Sequence, residues 1–342
     1  MDPAVSRPES LYCPPGDSHV DPRRPVAGAA SAHAHAGHAR RNSAEGHLRW
    51  LARLVIALLV QAGGNMVHAE DAAVNSATAL RAKFAELSGK LEDNPFQKPL
   101  YLESSEASGE LKGNIYALLR HPFPTVQSAL KQPAHWCDIL ILHTNTKYCR
   151  PFAGSAGTVL KVNIGRKSDQ PIERSYRVEF AYRVIEAGAD HLAVVLNADK
   201  GPFGTRNYRI VLEAVPLKNG QTFLHLAYSY AYGTAAKLAI RAYLGTAGHN
   251  KVGFTVTGRR NDGQAVYVDG LRGLVERNTM RYYLAIEAYL GALSVAPSAQ
   301  LEKRLTDWYA SVERYPRQLH EMAQQDYLEM KRAEYLRQQS GP

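Results

Sequence analysis

The sequence predicts an α+β fold, a curved antiparallel sheet closed by one long helix near the C-terminus. Three observations carry that prediction. Residues 174–186, 191–198, 206–215 and 222–232 read as four consecutive β-strands, because apolar and polar side chains alternate along them. Their connectors (187–189, 200–204 and 218–220) are too short for parallel crossovers, so the strands form a meander. A tyrosine-bearing apolar helix, residues 275–293, follows soon after.

The strand alternation predicts what each face carries. In the first of these strands Tyr176, Val178, Phe180, Tyr182 and Val184 share one face, and Arg177, Glu179 and Arg183 share the other. In the last, Leu224, Leu226, Tyr228, Tyr230 and Tyr232 share a face. The apolar faces are therefore oily but rich in hydroxyls, which suits an amphipathic guest and equally suits an ordinary core. Asn219-Gly220 is the strongest hairpin signal in the chain.

The remaining elements follow in order. Leu80, Phe84, Leu87 and Leu91 recur at helical spacing and predict an amphipathic helix ended by Asn94-Pro95. Residues 99–103 form a short extended piece and 110–120 a strand. Pro122 and Pro124 break the chain, Thr125 caps a helix over 126–131, and Pro133 starts a second helical turn carrying Trp136. Strands are expected at 138–149 and 158–164. After the meander comes an insertion, 234–273, with an apolar helix at 234–246 and a hairpin about Asn261-Asp262-Gly263. The tail 298–342 carries Leu301, Leu305, Trp308, Val312, Tyr315, Leu319 and Met322 as one helical stripe, and the charged residues beyond Tyr327 are expected to fray.

The N-terminal part has a different character. Residues 1–47 are rich in Ala, His, Pro and Arg, lack apolar periodicity and are expected to be disordered or a mis-assigned extension. Residues 48–69 hold a basic stretch around Arg49 and Arg53, an apolar run over 54–60 and small residues ending at Ala69. That pattern predicts a signal peptide cut after Ala69, a periplasmic or secreted product, and translation starting near Leu48. The apolar run is well short of the roughly 20 residues that span a bilayer. Residues 70–108 then form an N-terminal helix and lead-in, and 109–297 the main domain.

Of three cysteines, Cys13 precedes the signal, and Cys137 and Cys149 remain. In an oxidising compartment the pair invites a disulfide worth about 3 kcal/mol in the chain-entropy model; two buried thiols are the alternative. No metal site is predicted: the two cysteines lack a second pair, and His33, His35 and His38 lack a rigid ligand geometry. The net charge of +9 is spread along the chain. It favours contact with an anionic membrane surface. Export and the lack of an aromatic RNA-binding motif argue against nucleic acid.

The run GNIYALLRHPFPTVQSAL at 113–130, followed by His135-Trp136, resembles the opening strand and helices of the START-like, Bet v 1-like helix-grip (SRPBCC) superfamily. The order of elements over 110–293 is also similar to that superfamily. The insertion 234–273 and the tail after Ser298 depart from it. The resemblance implies a cavity between sheet and closing helix that takes a hydrophobic or lipid-like small molecule. It transfers no catalytic residue and no cofactor.

The cavity walls expected on this basis are Trp136, Tyr176, Phe180, Tyr182, Tyr228, Tyr230, Tyr283 and Glu287. Glu287 shares a helix face with Met280, Tyr283 and Leu284; it either meets the ligand with a raised pKa, or pairs with an arginine, or sits at the helix margin reaching water. Arg272, Arg277 and Arg281 either clamp an anionic head group or pair with Glu276. His225 and Ser229 share a strand face but lack the glycine-flanked elbow and third group of a hydrolase. Three functions remain open: an exported binding protein, an envelope interaction protein docking a partner through its C-terminal helices, and a cavity cyclase or hydrolase.

Overall fold

The computed structural model describes residues 76–245 and 251–341. The extension, the signal segment and the cleavage position expected within residues 1–69 lie outside them.

Helix α1 (Ala77–Glu92) opens this region, with the Ser76 side chain accepting from the Ala79 N–H at 3.2 Å. Strands β1 (Leu100–Ala107) and β2 (Glu110–Leu119) form a hairpin, turned through Ser108 and Gly109 at positive φ. Two short helices follow, α2 (Phe123–Leu130) and α3 (Pro133–Leu140). Strands β3 (Thr146–Gly154), β4 (Gly157–Ile164), β5 (Tyr176–Ala187), β6 (Leu192–Lys200), β7 (Arg206–Pro216) and β8 (Thr222–Ala231) complete one antiparallel sheet. Its order is β1-β2-β8-β7-β6-β5-β4-β3, so the expected meander is its central part and β8 returns beside β2.

The insertion supplies α4 (Thr234–Gly245) and the small hairpin β9 (Val256–Arg259) and β10 (Ala265–Tyr267). Helix α5 (Gly270–Ala292) then closes the curved sheet, as the sequence predicted, with α6 (Pro297–Val312), α7 (Pro316–Leu319) and α8 (Gln324–Ser340) added behind it.

The two faces of the sheet are covered differently. Ile210, Leu212, Leu224, Leu226, Phe180 and Tyr228 point inward and pack with Val275, Met280, Tyr283 and Leu284 of α5 in one large core. On the outer face Tyr116, Val215 and Phe223 receive Leu80, Leu87 and Leu91 of α1 in a smaller one. Burial at about 25 cal/mol per Å² of apolar surface makes these two layers the main source of cohesion.

Several local expectations are corrected. The strand expected over 138–149 is helix to Leu140, then turn, then β3; Pro133 at the first helical position commits the segment to helix, and its unbroken apolar run hid the boundary. Helix α2 begins at Phe123 with Pro122 as its N-cap, so Thr125 lies inside it and caps nothing. Helix α5 begins a full turn earlier than the apolar pattern showed.

The C-terminal stripe is consumed within the chain. Leu305, Trp308, Val312 and Leu319 are buried in the main core, and the Trp308 indole N–H donates to the Arg281 carbonyl at 3.2 Å. A partner docked on that stripe would have to displace α5.

Beyond Tyr327 the chain is helical rather than frayed, because α8 buries charge as a unit. Glu334, fully buried, accepts from Lys147 at 2.8 Å and Lys331 at 2.7 Å, both also fully buried. Lys331 donates further to the carbonyls of His143 and Thr146. Burial lowers its pKa to about 8 while Glu334 pulls the other way, so it is mostly charged at neutral pH. The Gln338 side chain accepts from the Cys149 N–H, and Cys149 is disulfide-bonded to Cys137 of α3. Strand β3, at the sheet edge, is thereby tied to two helices. Glu334→Gln leaves two buried ammonium groups without their carboxylate. It is expected to cost about 3–5 kcal/mol by urea unfolding; a cost below about 1 kcal/mol would show that the triad does not hold α8.

Candidate functional site

One end of the inner face collects phenols. Tyr208 on β7 and Tyr228 and Tyr230 on β8 face inward by strand alternation, and Tyr282 of α5 comes down on them. Tyr208 stacks on Tyr230 with centroids 5.1 Å apart, and Tyr228 lies 5.6 Å from Tyr230 and 5.3 Å from Tyr282. Phe180 meets Tyr208 edge-on at 6.3 Å.

The hydroxyls divide into two kinds. That of Tyr208 is paired with Thr205 Oγ1 at 2.7 Å. Those of Tyr228, Tyr230 and Tyr282 have no hydrogen-bond partner among the described residues. Burial pushes all four phenols upward, Tyr208 to about 12, and the neighbouring phenols add to the effect. They are neutral donors throughout the physiological range.

Positive charge stands beside this cluster. Arg277 is buried within reach of Tyr230, whose upward shift it tempers, and Arg281 does the same for Tyr282. Arg281 pairs with Glu321, which Lys167 also meets at 2.7 Å. The surrounding cations hold the Glu321 carboxyl low against its burial. His143, 5.2 Å from the Tyr282 ring, is kept neutral by burial first and by Arg281, Lys331 and Lys167 after it. The arrangement offers several neutral O–H donors and a guanidinium to a polar or anionic group, and an aromatic and aliphatic wall to an apolar body.

The sequence-predicted residues separate in space. Phe180, Tyr228 and Tyr230 belong to this cluster, and Arg277 lies beside it. Tyr176 stands half-exposed at the rim. Trp136 and Tyr182 serve the fold: both donate to the Leu130 carbonyl, at 2.7 and 3.2 Å. Glu287 faces away from the phenols and accepts from Lys98 at 2.5 Å, with the buried Tyr283 hydroxyl close by. It is a helix-margin ion pair rather than a cavity carboxylate.

The three arginines do not form one clamp. Arg272 donates to Ser104 Oγ at 3.0 Å, and Arg281 is committed to Glu321. Glu276, fully buried, accepts from the backbone N–H groups of Phe254 and Thr255 at 2.6 and 2.9 Å, pinning the β9–β10 hairpin to α5. Sequence reasoning missed Tyr208 and Tyr282. The first shares the alternation of Ile210 and Leu212 and was detectable; the second sits one residue from the more obvious Tyr283.

His225 lies on the outer face. One ring nitrogen meets Glu213 at 2.8 Å and the other Asn114 at 3.1 Å, and Tyr116 stacks on the ring at 4.4 Å. With both nitrogens engaged it has none for Ser229, so the pair does not form a nucleophile and base. Among the described residues no group of three His, Cys, Asp or Glu side chains is placed to hold a metal.

No protein-family model matches this sequence, and no curated protein does. Solved structures do. Norcoclaurine synthase of Thalictrum flavum is 10% identical over 42% of this chain and 91% of its own, with a TM-score of 0.30. Ara h 8.0201 is 11% identical over 56% and 99%, at 0.31. A conserved protein from Geobacillus kaustophilus is 19% identical over 41% and 86%, at 0.27. Scores this low carry no argument about activity.

Two outcomes follow from the phenols. Tyr230→Phe removes a hydroxyl with no partner to lose and is expected to leave stability unchanged or raise it by up to about 1 kcal/mol. Tyr327→Phe breaks a 2.9 Å bond to the Leu142 carbonyl, and is expected to cost about 1 kcal/mol or more. Equal losses in thermal or urea unfolding would mean that the Tyr230 hydroxyl is already satisfied. The second outcome concerns alkaline pH. Raised folded pKa values mean that the folded state keeps protons the unfolded state has released, so stability is present below pH 10 and falls as pH rises toward 12. Absorbance of ionised tyrosine near 295 nm, followed alongside circular dichroism, should show part of the phenols titrating only with unfolding. Complete titration near pH 10 in the folded protein would contradict this.

Proposed function

We propose that the chain is an exported binding protein for an amphipathic small molecule, lipid-like in its apolar part, taken between the inner face of the sheet and α5. The observation that carries this reading is the set of three inward hydroxyls, on Tyr228, Tyr230 and Tyr282, without partners among the described residues. The hydroxyls are not sealed off as buried unpartnered atoms, so they are open to a ligand that accepts from them, a role phenylalanine could not fill.

The guest's polar end would lie among these hydroxyls beside Arg277, and its apolar body along Phe180, Leu226 and Met280. Helix α4 rests on the Pro202–Gly204 turn and on α5, with Ala236 and Ile240 packed into the core, and would serve as the cover under which a guest enters. The basic, apolar and small-residue pattern before Ala69 supports export. The Cys137–Cys149 disulfide fits an oxidising compartment.

The test is extraction of the folded, purified protein with organic solvent, followed by mass spectrometry, and titration with dodecanoate followed by tyrosine fluorescence. A stoichiometric amphiphile in the extract, or saturable dodecanoate uptake that falls about tenfold or more in Tyr228→Phe/Tyr230→Phe, is expected from the loss of two hydrogen bonds. An empty extract together with no uptake, or uptake unchanged in the variant, would overturn the reading.

A further inference from the structure

The outer face of β3, β4 and β5 carries a second site, separated from the phenols by the sheet itself. A groove of about 550 Å³ lies there, walled by Arg150, Lys161 and Arg177 and by Pro151, Phe152 and Ile172. Strand register builds it. Arg150 stands directly opposite Lys161 across β3–β4, and Arg177 opposite Asn163 across β4–β5. Asn163 is fixed by donating to Ser175 Oγ at 2.9 Å.

This arrangement is costly in isolation. Like charges directly opposite on neighbouring strands destabilise the pair. No carboxylate lines the groove. Glu179 faces Lys161 from β5, yet among the described residues none of Arg150, Lys161 and Arg177 is in an ion pair within 4.0 Å. Lys161 lies instead over the Phe152 ring, 4.1 Å from its centroid, and that ring is 54% exposed. A large exposed aromatic beside three cations without an ion pair within 4.0 Å is what an anion with an oily body would cover. A docked β-strand fits less well, because Pro151 removes a donor from the open edge of β3.

We infer that this groove binds a small organic anion with an alkyl or aryl body. Its phosphate or carboxylate end is held by the Arg150 and Arg177 guanidinium groups and the Lys161 ammonium, and its body lies along Phe152, Pro151 and Ile172. Guanidinium forms paired hydrogen bonds to such anions and lysine adds a point charge. The same chemistry occurs in a free amphiphile and in a lipid headgroup. The site is independent of the interior one.

The experiment is calorimetric titration of the full chain with dodecyl phosphate below its micelle concentration, with inorganic phosphate, and with phosphatidylglycerol vesicles. The variants are Arg150→Gln/Arg177→Gln, Phe152→Ser and, as a control at an exposed cation in the β7–β8 turn outside the groove, Lys218→Gln; thermal melting checks that each folds. Dodecyl phosphate or the vesicles should bind, the double glutamine variant should lose about tenfold or more through two lost charge-assisted contacts, and Phe152→Ser should weaken binding severalfold. Inorganic phosphate should bind more weakly, and Lys218→Gln should bind as the parent does. Binding of the monomer identifies a free amphiphile and binding of vesicles alone a headgroup; either supports the site. No binding in either arm, equal binding by the groove variants once folded, or an equal loss in Lys218→Gln would overturn it.

Discussion

The structure depends on one requirement: the inner, apolar face of an eight-stranded sheet must be covered along its length. Helix α5 does this, and nearly every later element holds it in place. Glu276 ties the β9–β10 hairpin to its first turns, Glu321 grips Arg281 at its middle, and Trp308 of α6 bonds the Arg281 carbonyl. Tyr315 adds a 2.8 Å bond to the Phe96 carbonyl, linking the tail to the lead-in before β1. A single helix laid on a sheet buries one stripe; here it is flanked on its outer side, so even Arg277 and Arg281 are out of water. The tail is therefore part of the core and not an appendage.

That degree of enclosure gives the phenol cluster its meaning. Tyr228 and Tyr230 bury their rings, while their unpartnered hydroxyls are not sealed from solvent. Elsewhere some buried phenols are paired within the protein and others, Tyr116, Tyr148 and Tyr289, have no hydrogen-bond partner among the described residues. Tyr182 finds Leu130, Tyr315 finds Phe96 and Tyr327 finds Leu142, each through a carbonyl.

How much of this could be read from the sequence depended on whether each feature was local. The meander was legible because Val178, Phe180 and Tyr182 alternate with Arg177, Glu179 and Ala181, and one turn carries Asn219-Gly220. The inward direction of Tyr228 and Tyr230 followed from the same alternation. The role of Glu287 was not legible, because its partner Lys98 lies 189 residues away in a segment with no periodicity of its own. Helix α8 was misjudged for a similar reason. Its buried face includes Lys331, Glu334 and Gln338, which no apolar pattern reveals, and the charge that justifies it is Lys147 on a distant strand. Side chains whose environment is assembled by tertiary contact carry no one-dimensional signal.

Strand β5 shows how one short sequence serves two different surfaces. Phe180 enters the core beside Tyr208, while Arg177, three residues earlier, points to the opposite side with Arg150 and Lys161. Because the side-chain period along a strand is two, a one-residue slip in register would carry the arginine into the core and the phenylalanine into water. The core forbids that slip strongly, since Val178, Phe180 and Tyr182 are all buried. Apolar packing on the inside thus fixes the spacing of cations on the outside. The clustered cations of the groove cannot relax by shifting the strand; they can separate by side-chain rotation or be met by an anion. Lys161 has taken the first route by folding over Phe152, and the two arginines are left facing the groove.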